Sequence, residues 1–149
     1  MPATLDRVTD ETFRSVEIAR TGLGRYEVRN VRGGTLPVSI GDDADFSPVE
    51  LLLAAIGTCT AADVDYITSK RAEPDGFTVR VSGDKLRDPA GGSRMTNLRV
   101  EFTVAFPDDE AGEAARAALP RAVRMSHDRL CTVSRTIEAG TSISNTVTP

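Results

Sequence analysis

The sequence predicts an α+β fold in which strands and helices are segregated along the chain. Three observations point there. Residues 14–40 break into short alternating segments joined by glycine turns, a long apolar helix signal opens at Ser47-Pro48, and two further alternating segments precede a helical C-terminal third. Strands alternating one by one with helices would instead suggest a parallel sheet.

The first elements are SVEIAR, RYEVRNV and TLPVSI, separated by TGLG and RGG, and they predict an N-terminal strand meander. An acidic turn comes next at 42–45. Ser47 then stands as a helix cap, Pro48 at the first helical position, and Glu50 where a capping box places its carboxylate. Over 49–67 nearly every residue before Asp63 and Asp65 is apolar or small, which predicts a buried helix. After Pro74-Asp75-Gly76, the segments FTVRVSGDKLRD and RMTNLRVEFTVAF flank the turn-rich PAGGS and predict a long hairpin. Pro107-Asp108-Asp109-Glu110 opens a second helix with acidic residues at its positive end, with a kink or break at Pro120. A short helix near Cys131 and a final strand, TSISNTVT, complete the expected order.

At 149 residues the chain is expected to form a single domain over 1–149. The formal charge of −4 comes from interspersed acidic and basic residues, so no basic footprint marks a nucleic-acid partner. The N-terminus lacks the apolar run of a signal peptide, and no segment reads as the ~20 apolar residues of a membrane span. A cytoplasmic protein is expected. There, structural disulfides are rare, and two cysteines make no staple framework. A helix as apolar as 49–67 is more than one small sheet can cover, so a second subunit is expected to pack on it.

Chemistry centres on sulfur, with two Cys, one His and no Trp in the chain. Cys59 sits in the apolar helix among Gly57, Thr58, Thr60 and Ala61, where it is either a small buried hydrophobe or a thiol with room for substrate beside it. Cys131 precedes TVSRTIEAG, and a helix N-terminus there would favour its thiolate. His127, four residues earlier, offers a Cys–His pair or, with both cysteines, an incomplete metal set; an exposed histidine is the plainer alternative. Arg20, Arg25, Arg29 and Arg32 crowd the first strands and could hold an anion or pair with a carboxylate.

The combination of SPVELLLAAIGTC with a second cysteine in RLCTVSRTIEAGTSI resembles the OsmC/Ohr family, the osmotically inducible and organic hydroperoxide resistance proteins, over nearly the whole chain. The resemblance implies an OsmC-like α+β fold with buried central helices in an intertwined homodimer, two active sites lying at the subunit interface. It also implies a thiol peroxidase. Cys59 would attack an organic hydroperoxide to give a sulfenic acid, Cys131 would resolve it as a disulfide, and a dithiol reductant, a lipoyl protein in one branch, would restore both thiols. Neither metal nor organic cofactor enters that scheme. The family chemistry also implies an arginine that lowers the Cys59 pKa and a carboxylate that orients it; here either Glu50 turns toward the site, or Arg20 or Arg25 reaches Cys59 without a carboxylate guide. The peroxidase branches keep that glutamate directly after the proline, where this chain has Val49. A non-catalytic member holding a small apolar ligand in the interface cleft is the alternative.

Overall fold

The computed structural model describes residues 8–149, and the sequence expectation for the extreme N-terminus lies partly outside them. The chain divides between Leu51 and Leu52 into two compact units.

The first unit is an antiparallel meander of β1 (Val16–Gly22), β2 (Arg25–Asn30) and β3 (Thr35–Val38), in the order β1-β2-β3. Gly24, at φ 68°, makes the first turn. Asn30 makes the second, its Oδ1 accepting the amides of Arg32 at 2.9 Å and Gly34 at 3.0 Å. The acidic turn is tied down through Asp43, which accepts from Ser39 Oγ at 2.8 Å and pairs with Arg25.

Helix α1 (Pro48–Thr68) opens with the expected capping box: Ser47 Oγ donates to Glu50 Oε1 at 2.7 Å, and the Glu50 amide donates back to Ser47 Oγ at 3.3 Å. Burial along α1 differs from expectation. Only Ile56, Gly57, Thr60, Val64 and Thr68 are buried, a single stripe at four-residue spacing, while Tyr66 is 77% exposed. The helix is apolar all round yet covered on one side within a single chain. Its 21 residues and mean hydropathy of 1.3 also meet the length and composition of a membrane span, contrary to the expectation that no segment would.

The second unit continues with the hairpin of β4 (Gly76–Arg87) and β5 (Ser93–Ala105), paired antiparallel from Gly76↔Ala105 to Arg87↔Ser93 with an irregularity between Ser82 and Asp84. Phe77 and Phe102 meet edge to face with centroids 6.3 Å apart. Asp109 caps α2 (Glu110–Met125) by accepting the Gly112 amide at 2.7 Å. No break occurs at Pro120. That proline is exposed, so the carbonyl it leaves without a partner, on exposed Arg116, can be hydrated. Regular α-geometry ends instead in a π turn, Ser126–Leu130, followed by α3 (Thr132–Glu138). The expected last strand is absent: residues 141–149 have no regular structure, and Ile143 and Val147 are 87% and 91% exposed. Alternation and β-branching favour a pleated surface only where a neighbouring strand pairs with the segment, and no described strand pairs with this one.

Gly57 sets how closely α1 lies on the hairpin. A Cβ there would stand 2.6 Å from Val81 Cγ2. Gly57→Ala is expected to lower stability by about 1–3 kcal/mol through overpacking, partly offset by about 1 kcal/mol of helix propensity. Thermal unfolding of Gly57→Ala against the double variant with Val81→Ala checks this, because the second truncation should recover stability if the contact is the cause.

Candidate functional site

The site grows from the buried stripe of α1. Cys59 adjoins that stripe between exposed Thr58 and buried Thr60, so its sulfur is half-buried while the helix holds it rigidly. Cys131, 72 residues later, is fully buried. It sits between the π turn and α3 with an extended backbone, φ −72° and ψ 101°, and serves as the cap of α3. Its thiol donates to Ser134 Oγ at 3.2 Å and accepts the Ser134 amide at 3.4 Å. Cysteine thus takes the place that serine or aspartate holds in an ordinary cap.

Cys131 lies close enough to Cys59 to influence its ionisation. Burial pushes the Cys59 pKa up, the neighbouring Cys131 sulfur pushes it up further, and the amides of Val133 and Thr132 at the start of α3 pull it partly back. Desolvation is the largest of these effects, so Cys59 is held more protonated than a free thiol. No arginine is among the groups that chiefly tune it.

Most of the other residues singled out from sequence have their own local partners. Glu50 is engaged by Ser47, whose hydroxyl and amide hold its pKa below the usual carboxylate range. Arg25, on β2, is bound by Asp43 and faces Asp42 at 4.0 Å. In return, the Arg25 and Ser39 contacts lower the Asp43 pKa to about 2. Arg29 pairs with Glu27 at 2.6 Å. Arg20 lies exposed on β1, opposite Tyr26, and makes no ion pair among the described residues. Both ring nitrogens of His127 are taken by carboxylates, Asp128 at 3.0 Å and Glu138 at 3.0 Å, which raise its pKa and favour the imidazolium. No three His, Cys, Asp or Glu side chains converge as metal ligands among the described residues.

A cavity of about 320 Å³ is walled by Ile56, Leu98, Val100, Phe102, Val123 and Ile137, with Thr60, Ser134, His127 and Glu138 supplying its polar edge; neither cysteine lines it. Ser134 links the two features, lining the cavity while bonding Cys131. Sequence reasoning missed Ser134 and the Val133 amide. The only available signal was their position one turn beyond a cysteine that could cap a helix.

Comparison with known proteins identifies the family and the fold. A family model described as OsmC-like protein matches residues 41–145. An OsmC-like protein of unknown function from Vibrio cholerae superposes with a TM-score of 0.71 at 15% identity, over 85% of this chain and 94% of that one. An organic hydroperoxide resistance protein OsmC from Legionella pneumophila gives 0.54 at 15% identity over 83% and 88%. The organic hydroperoxide resistance protein OhrB of Bacillus subtilis gives 0.52 at 14% identity over 82% and 90%. Such identities establish a common fold. No match was found among curated proteins.

The titration of Cys59 is directly measurable. Its alkylation by iodoacetamide should rise with pH through a midpoint above the roughly 8.5 of a free thiol. In Cys131→Ser the midpoint should move down, because the sulfur beside Cys59 is gone, yet stay raised because burial persists. A wild-type midpoint below that of free cysteine would contradict this balance.

Proposed function

Because this chain belongs to the OsmC-like protein family, we propose that it is a cysteine-based thiol peroxidase reducing organic hydroperoxides. The observation that carries the reading is the proximity of Cys59 and Cys131, drawn from distant parts of the sequence, with Thr60 next to the one and Ser134 bonded to the other lining an apolar cavity. Half-exposed Cys59 is the accessible thiol and buried Cys131 the protected one, which suits an attacking and a resolving role. In the first step the Cys59 thiolate takes the terminal oxygen of ROOH; the O–O bond breaks, RO⁻ leaves and is protonated to the alcohol, and sulfur becomes a sulfenic acid. In the second, Cys131 attacks that sulfur, a disulfide forms and water departs. A dithiol reductant, such as a lipoyl protein in the cytoplasm, returns both thiols.

The raised Cys59 pKa means that little thiolate is present at neutral pH in one subunit, with the α3 amides opposing but not overcoming burial. Of the two arginines considered, Arg20 makes no ion pair among the described residues and is the better candidate to supply the missing charge. We take the working form to be a homodimer. Support comes from the one-sided burial of α1 and from Val16 and Ile18 on β1, which are 61% and 62% exposed. A second reading is favoured by the same raised thiol and apolar cavity: a non-catalytic protein that holds a small apolar ligand, with the thiols outside the cavity lining.

Reduced protein should consume cumene hydroperoxide faster than hydrogen peroxide, with the rate rising with pH. Cys59→Ser should abolish turnover, and Cys131→Ser should stop after one equivalent with a sulfenic acid that dimedone traps. An inert wild type that binds an apolar fluorophore as well as Cys59→Ser does would replace catalysis by ligand binding. For assembly, sedimentation at low micromolar concentration should show a dimer burying ~2,000 Å² or more; a well-folded monomer would remove that part of the proposal.

A further inference from the structure

A polar chain crosses the otherwise apolar junction between α1 and the end of α2, and the thiol chemistry leaves it unused. Ser126, the first residue of the π turn, is 0% exposed and Thr60 is 6% exposed. The Ser126 hydroxyl donates to Asp63 Oδ2 at 2.8 Å and lies 2.7 Å from Thr60 Oγ1. A carboxylate only accepts, so the single Ser126 proton goes to Asp63 and Thr60 donates to Ser126. The backbone of the same residue bonds elsewhere: its carbonyl accepts the Cys131 amide at 2.8 Å, five residues ahead. Thr60 directly follows Cys59. One residue is therefore bonded through its side chain to the turn of α1 that carries one thiol, and through its backbone to the other thiol's own amide.

Packing alone does not call for this arrangement. Apolar side chains would fill the space without the cost of burying hydroxyls, whereas directional bonds fix two segments in one register. Disulfide formation is demanding in that respect, since it needs Cα atoms about 4.4–6.8 Å apart with Cβ atoms facing. We propose that Ser126 is a positioning residue, a clamp that holds the Cys131 segment against α1 at the separation from which the two thiols can join. The inference rests on the thiol-pair chemistry of the proposed function but not on the identity of the oxidant.

The test therefore uses no peroxide. Equilibration with a glutathione redox buffer follows the exchange in which Cys59–SH, Cys131–SH and oxidised glutathione give the protein disulfide and two reduced glutathiones, and it yields the effective concentration of one thiol at the other. Loss of both side-chain hydrogen bonds between the segments should lower that concentration at least about fivefold to tenfold in Ser126→Ala, with a smaller loss in the isosteric Thr60→Val, which removes one of them. Asp63→Asn, which keeps an acceptor oxygen, should lose less than Asp63→Leu. Alkylation of Cys59 in a Cys131→Ser background should not respond to Ser126→Ala. An effective concentration in Ser126→Ala equal to wild type would overturn the clamp even if thermal stability fell, since that is what a merely structural serine would give. If Ser126→Ala does not fold, an unchanged value in folded Thr60→Val overturns it equally. A wild type that forms the disulfide readily but consumes no hydroperoxide would refute the peroxidase reading while leaving the clamp standing.

Discussion

The close seating of α1 on the β4–β5 hairpin is the constraint on which the second unit depends. Ile56, Gly57, Thr60, Val64 and Thr68 form its buried stripe, and Gly57 lets the helix approach Val81 more closely than any side chain would permit. From that seat Cys59 and Thr60 acquire fixed positions, one half-open and the other sealed. The far wall, made of α2, the π turn and α3, then has a rigid surface against which to place Cys131.

Electrostatically, the site is governed by desolvation rather than by charge. Burial is the main influence on Cys59, and the only effects acting against it are main-chain amides at the head of a short helix. Several charged groups are paired with one another within each unit. His127 is flanked by Asp128 and Glu138, and in the first unit Arg25 is bound by Asp43. Such pairs at exposed positions stabilise little, but they fix the rims and turns of which they are part. Because His127 gains its acidic partners on folding, its raised pKa makes a small stabilising contribution below its ordinary range near 6.5, and that contribution is lost as pH climbs through the folded value.

Much of the fold was legible because its signals are local. Ser47-Pro48 with Glu50 marks the start of α1, glycines mark the hairpin turns, and both long strands of the hairpin alternate as they should. The family was legible from the surroundings of the two cysteines. Tertiary features were not. Whether TSISNTVT pairs depends on a strand being brought alongside it, whether Pro120 breaks a helix depends on which side faces water, and whether a helix is buried depends on how many layers cover it. The bond between Thr60 and Ser126 spans 66 residues and leaves no periodic trace. Within the candidate site, residue types suggested thiol chemistry, but the balance of burial against amide contacts emerged only from the folded arrangement.

The π turn at Ser126–Leu130 governs spacing as well as direction. An α-helix advances about 100° per residue, so a wide turn that accommodates one extra residue resets the phase of everything after it. Had α2 continued in regular geometry, Cys131 would have emerged on a different side of the helix axis from the one that faces Cys59. Chain length between Ser126 and Cys131 is thus a tighter requirement than the identity of the exposed residues within it, His127 to Leu130. Sequence change in that turn can be chemically broad, but losing or gaining a single position would turn the second thiol away from the first.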